Sequence, residues 1–190
     1  MNIIDVFDFD KTIYKKDSSV EFYFYTLKKH FSIVKYLPLQ AYAFILYKLG
    51  IKKLEFFKEK FFLFLKVYKN IDEEIEKFWD DERKKDIRYD ILKNTNNPNV
   101  VISASPYFLL EGICKQLGVE KLIATDVDKK TGKFLSQNCK GEQKVVRLNE
   151  EVKDYEVELF YSDSYSDTPL ARLAKKAYII KKDQCNDWIF

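Results

Sequence analysis

The sequence predicts an α/β fold with a mainly parallel sheet and one large helical insertion. Three observations carry that expectation. Short apolar, β-rich runs recur at residues 3–9, 99–103, 122–125, 157–161 and 177–180. Helical patterns separate most of the later runs, the alternation that builds a parallel sheet. The stretch 14–95 breaks that alternation with helical periodicity alone, which reads as a lid inserted after the first strand.

The first run, Ile3-Ile4-Asp5-Val6-Phe7-Asp8-Phe9, is apolar on both sides of the pleat and reads as a buried central strand. Ser18 and Glu21 fit a capping box opening a helix to about His30. A second helical pattern runs from about Ser32 to Leu49, where Gly50 stops it. Leu54, Phe57, Phe61 and Leu65 continue at helical spacing. Asn70 and Glu73 form another capping-box candidate, ahead of a helix burying Ile71, Ile75 and Phe78. Residues 94–99 form a polar turn around Pro98. After the strand at 99–103, Ser105-Pro106 reads as a helix start with a serine cap, and Gly118 as its end. Residues 130–132 read as a turn, and a helix over 168–175 precedes the last strand.

Composition narrows the chemistry. One histidine leaves little room for histidine-based catalysis or multi-histidine zinc sites. Five glycines leave no glycine-rich phosphate loop. Cys114, Cys139 and Cys185 have neither metal spacing nor an even disulfide framework; they read as inert core thiols in a reducing compartment. With no signal-peptide pattern at the N-terminus, the expectation is a cytoplasmic protein. Net charge of +3 is too mild to call for a nucleic-acid partner. Nothing here sets an oligomeric state.

In an open α/β sheet, ligands bind beyond the carboxyl ends of the strands. There the sequence places Asp8 and Asp10, then Ser103 and Ser105, then Asp163 and Asp167. Converging carboxylates repel one another, and a hard cation such as Mg²⁺ with oxygen ligands relieves that repulsion. A metal beside a carboxylate nucleophile suits phosphoryl transfer. Ser103, Lys144 and backbone N–H groups near Ser105 would supply donors to the phosphate.

Asp8-Phe9-Asp10-Lys11-Thr12 resembles the D-x-D-x-T signature of the haloacid dehalogenase superfamily. Ser103 resembles its second motif, Lys144 its third, and Asp163-Ser164-Tyr165-Ser166-Asp167 its acidic fourth. The insertion resembles the cap of the phosphoserine-phosphatase-like subgroup. The resemblance implies a Rossmann-like three-layer core over 1–13 and 96–190 and a helical cap over 14–95. It implies a Mg²⁺-dependent phosphatase acting on a small phosphomonoester through an aspartyl-phosphate. Asp8 would be the nucleophile and Asp10 the general acid and base, oriented by Thr12. Ser103 and Ala104 would bind the phosphate with Lys144, which also neutralises Asp8. Asp163 would ligate Mg²⁺ with Asp8 and the Asp10 carbonyl, and Asp167 would complete the metal shell or hold Lys144.

Two departures stand out. Ser162 replaces the glycine the fourth motif usually carries, which crowds the turn. Asp17 stands where phosphoserine phosphatases read the substrate amine with glutamate, and no arginine precedes Arg83 to clamp a carboxylate. Asp17 therefore has two readings, a substrate-binding acid and a charge ahead of a helix N-terminus. His30 reads as a surface or cap residue.

Residues 14–95 hold 19 of the 31 aromatic residues, and residues 14–70 hold 12 lysines against four acids. A lid must bury its own aromatic face, and solvated lysines are ordinary. The same composition leaves open contact with an anionic membrane, and with it a lipid-phosphate phosphatase. A phosphate-binding regulatory protein without turnover is the remaining alternative.

Overall fold

The computed structural model describes residues 2–93 and 95–190. Of the expected core and turn, Met1 and Asn94 lie outside the described residues. Strand β1 (Asn2–Phe7) is followed by α1 (Ser18–Lys29), a 3₁₀ segment (Phe31–Tyr36), α2 (Leu37–Lys48) and α3 (Leu54–Phe61). A second 3₁₀ segment (Phe62–Val67), α4 (Ile71–Phe78), α5 (Asp81–Lys84) and α6 (Tyr89–Lys93) lead to β2 (Asn99–Pro106). Then come α7 (Tyr107–Gln116), β3 (Lys121–Thr125), α8 (Glu142–Glu151) and β4 (Tyr155–Ser162). A 3₁₀ turn (Tyr165–Asp167), α9 (Thr168–Ala171), β5 (Ala174–Lys181) and β6 (Gln184–Asp187) close the chain.

The six strands form one sheet in the order β3-β2-β1-β4-β5-β6, parallel except for β6. β1 lies at its centre, and its side chains alternate between two cores. Ile4 and Val6 pack with Ile102, Phe160, Leu148 and Leu170 on the face covered by α8 and α9. Phe7 packs on the opposite face with Leu109, Ile113 and the rings of the inserted helices. An α/β fold of three layers results, as the alternation predicts.

The two ends of the helical stretch are sewn to each other, and Trp79 ties it to α7. Arg88 N donates to the Ile13 carbonyl at 2.8 Å and Lys15 N to that of Asp86 at 2.9 Å. The Trp79 indole N–H reaches the Leu109 carbonyl at 2.7 Å. Gly132, at φ +75°, lies against the Phe62 backbone, where a Cβ would meet the Phe62 carbonyl oxygen at 2.7 Å. Only glycine fits that contact between the loop after β3 and the helices.

Several boundaries differ from expectation. Asp17, not Ser18, caps α1, accepting from Val20 N at 3.0 Å. β2 runs on through Pro106, so Ser105 is a strand residue and caps no helix. The helix expected over 168–175 stops at Ala171, because Ala174 and Lys175 pair into β5 beside β4. α8 and β6 were not expected. Cys114 and Cys139 are buried, but Cys185 is exposed on edge strand β6. His30 ends α1, with its ring edge-on to Tyr68. Among the described residues, no helix is long and apolar enough to cross a membrane.

Candidate active site

The carboxyl ends of β1, β2 and β4 open into a cavity of about 400 Å³, whose far side is formed by α1, α3 and the 3₁₀ segment after α3. Asp8, Asp10, Asp17, Ser103, Ala104, Lys144, Asp163 and Asp167 all line it. Of the site residues expected from sequence, only Thr12 is not among the lining residues.

Lys144 is the centre of the site. It rises from the first turn of α8 and is buried, with its ammonium 2.5 Å from Asp8 Oδ1 and 2.6 Å from Asp167 Oδ2. Burial works against its charge, but the two carboxylates outweigh that and hold it above the ordinary lysine range. The α8 start depends on Gly141, whose φ of 59° and ψ of −127° exclude other residues. Its N–H also points to Asp167 Oδ1 at 3.4 Å. Ser162 does not crowd the turn; its hydroxyl donates to Asp167 Oδ2 at 2.8 Å and accepts from Ser164 N at 3.1 Å.

Asp10 is held from two directions. Ser18 N, at the start of α1, donates to Oδ1 at 2.8 Å, and the Ser105 hydroxyl donates to Oδ2. Ser18 and Ser19 hydroxyls lie 3.2 and 3.1 Å from that of Ser105. Burial, with the nearby Asp17 charge, raises Asp10 to about 6. Burial raises Asp8 to about 7 against the opposing pull of Lys144, and raises Asp163 as well.

Thr12 does not orient Asp10. Lys11, at φ 58°, turns the chain, and Thr12 is fully buried with no hydrogen-bond partner for its hydroxyl among the described residues. Its carbonyl instead accepts from the Arg88 guanidinium at 2.6 Å. Arg88 thus pins the loop after the first strand, a role that sequence reasoning missed.

Lys58 of α3 was also missed. It is half-buried in the cavity wall and donates to the Ala104 carbonyl at 2.8 Å and to Asn138 Oδ1 at 2.9 Å. Burial pushes its amine down to about 8. A lysine among apolar neighbours at helical spacing gave no distinguishing signal. Val20, Leu54, Phe57, Phe61 and Phe62 make the rest of that wall largely apolar.

The carboxylates of Asp8, Asp10, Asp163 and Asp167 line one cavity but do not all turn to one point. Among the described residues, no three His, Cys, Asp or Glu side chains are grouped to hold a metal. Asp10 turns its carboxylate to Ser18 and Ser105, and Asp167 turns its own to Lys144 and Ser162. Asp8 and Asp163 remain. Asp8 has one oxygen on Lys144, and the Asp163 carboxylate accepts no hydrogen bond from any described residue. Two hard oxygen donors lining the cavity fit a cation that keeps most of its waters.

The sequence model of the haloacid dehalogenase-like hydrolases matches residues 6–172. A histidinol-phosphatase of Neisseria meningitidis serogroup C (strain 8013) is 29% identical over a 96-residue alignment covering 44% of this chain and 43% of that relative. The chain therefore spans less than half the length of that curated relative. A protein of unknown function from Bordetella pertussis Tohama I superposes with a TM-score of 0.75 at 22% identity, over 93% of this chain and 89% of that one. A phosphoserine phosphohydrolase-like protein from Francisella tularensis subsp. tularensis SCHU S4 gives 0.59 at 19% identity, over 96% and 88%. At such identities these structures speak for the fold alone. The family match spans every strand end that lines the cavity, and the chain belongs to the haloacid dehalogenase-like hydrolases.

Proposed function

We propose that the protein hydrolyses phosphomonoesters through an aspartyl-phosphate on Asp8. The observation that carries this reading is the buried Lys144, joined to Asp8 and Asp167 in a cavity that also holds Ser103, Asp10 and Asp163. Lys144 holds Asp8 in place and offers charge to the phosphoryl oxygens. The Ser103 hydroxyl accepts from Ser105 N at 3.1 Å, which leaves its own proton for a phosphate oxygen. A carboxylate oxygen of Asp8 attacks phosphorus as the ester oxygen leaves with a proton from Asp10. Asp10 then takes a proton from the water that attacks the acyl phosphate, releasing phosphate and restoring Asp8. Ser18, Ser19 and Ser105 steer the Asp10 carboxyl in both half-reactions.

Asp8, Asp163 and the main-chain carbonyl of Asp10 would hold Mg²⁺. When bound, the ion offsets charge on the phosphoryl group and orients it. Of its two expected roles, Asp167 takes that of holding Lys144. Residues 14–95 act as a cap that closes over the phosphate and selects the ester, with Lys58 as a second cation beside Ala104.

Asp17 serves as the α1 cap, with one oxygen on Val20 N, and it lines the cavity. The cap wall carries one lysine, no arginine and five apolar side chains, which disfavours an amino-acid phosphate and suits an ester with an apolar leaving group.

The test is phosphate release from an aryl phosphate by wild type and Asp8→Asn, with and without chelator. Turnover that needs Mg²⁺ and disappears in Asp8→Asn is expected. Metal-independent turnover, or a fully active variant, overturns the reading.

A further inference from the structure

Helix α2 is built inside out. Its most buried residues are Gln40 and Ala43, while Leu37, Leu39, Tyr42, Phe44 and Ile45 are exposed. Gln40 is inside for a reason: it accepts from the Tyr23 hydroxyl and donates to the Phe61 carbonyl, each at 3.1 Å. The outward stripe Pro38, Ala41, Tyr42, Ile45 and Leu49 follows helical spacing and contains no charge. Leu49 is 67% exposed, and the flanking turns add Phe31 and Ile51, exposed at 77% and 61%. Helix α4, by contrast, follows the ordinary rule, burying Ile71, Ile75 and Phe78 beneath an acidic face. A contiguous apolar face on a folded chain marks a contact surface.

Charge says what it contacts. From Phe22 to Leu54 there are six lysines and no aspartate or glutamate. Lys35, Lys48, Lys52 and Lys53 are exposed beside the stripe. An exposed apolar helix flanked by lysines, in a stretch with no acidic side chain, is complementary to the surface of an anionic bilayer. A second copy of the chain would bring like-charged lysines together. At 12 residues, α2 measures about 18 Å, well short of the roughly 30 Å needed to span.

We infer that α2 and its flanking turns dock the protein on an anionic membrane surface, with α2 lying in the plane of the interface. The docking face is continuous with the cavity: Phe57, which lines the cap wall, packs its ring 5.3 Å from Phe44 and 6.2 Å from Tyr47 of α2.

The experiment is flotation of the full chain with phosphatidylcholine vesicles and with phosphatidylcholine–phosphatidylglycerol vesicles, at low and high salt. Recovery with the anionic vesicles alone, falling with salt, is expected. Ile45→Glu/Leu49→Glu and Lys52→Glu/Lys53→Glu should each lower that recovery roughly tenfold, with melting temperature and aryl-phosphate turnover unchanged. No flotation with anionic vesicles overturns the inference, as does a variant that floats like wild type. It is also overturned if light scattering finds a dimer that Ile45→Glu/Leu49→Glu dissociates, since the face would then be a self-contact. Flotation does not depend on turnover, so it is read separately from the phosphatase assay.

Discussion

On the strand-end wall of the cavity, every carboxylate but that of Asp163 is matched by a partner: Lys144 joins Asp8 to Asp167, Ser162 steadies Asp167, and Ser18 and Ser105 hold Asp10. On the helical wall, rings of Tyr23, Phe57, Phe61 and Phe64 pack edge and face against one another, and a single lysine reaches across. The first arrangement fixes each atom, because a buried polar network tolerates no missing partner. The second needs only volume and shape, which several sequences can satisfy. For the proposed reaction, that division would keep the reacting groups rigid and leave the helical wall free to change.

The largest test strikes the rigid wall. Lys144→Met leaves Asp8 and Asp167 buried beside each other without a cation, which should cost about 3–5 kcal/mol by urea or thermal melts followed by circular dichroism. Adding Asp167→Asn should recover part of that stability but none of the turnover. A Lys144→Met protein that melts like wild type would mean that charge does not organise this wall.

Next in size is the joint between the walls. Gly132→Ala places a methyl group against the Phe62 carbonyl at φ +75°. A loss of about 1–3 kcal/mol is expected, with the change in melting temperature as the readout. A neutral result would show that the helical side can shift on the sheet, and the two walls would then be less tightly joined than their contacts indicate.

The strand-end wall was the more legible in sequence, for a physical reason. Apolar strands that run straight into Asp8, Ser103 and Asp163 leave few explanations other than a polar site. Ser105 was misread because a Ser-Pro pair suits a helix start as well as a strand end, and only the pairing of Pro106 with Thr125 decides between them. The Ser105 contact with Asp10 joins residues far apart in the chain and leaves no local trace. α8 escaped because it buries little besides Leu148 and Lys144, and β6 because Gln184–Asp187 is a polar, exposed edge. The aromatic excess of residues 14–95 marked the helical stretch, but Lys58 carried no periodic signature.

Lys58 offers a smaller and more selective test. Lys58→Met should raise KM about tenfold for aryl and alkyl phosphates alike while kcat changes little, since the lysine is proposed to meet the phosphate that they share. Its amine is lowered to about 8, so the cation is present below that pH and lost above it. KM should therefore rise as pH passes through about 8, and Lys58→Arg should remove that rise. Folding responds above that point: the unfolded chain keeps this proton up to the ordinary lysine range, so burial of Lys58 penalises stability fully below about 8, and the penalty fades as pH rises from there toward that range. A KM profile unaffected by Lys58→Arg would place the lysine outside the phosphate contacts.

The smallest effects come from α2, where the usual rule of substitution should run backwards. Gln40→Leu adds apolar character to a buried position, yet it deprives the Tyr23 hydroxyl and the Phe61 carbonyl of their partner. A loss of about 1 kcal/mol is expected by denaturant melts. Ile45→Gln removes an apolar side chain from the exposed face and should stay within about 0.5 kcal/mol of wild type. If instead Ile45→Gln were the costlier change, Ile45 would be packed against something in solution. The outward stripe of α2 would then be part of a folded contact, and the contrast between a charge-fixed wall and a freely variable helical wall would narrow to the cavity itself.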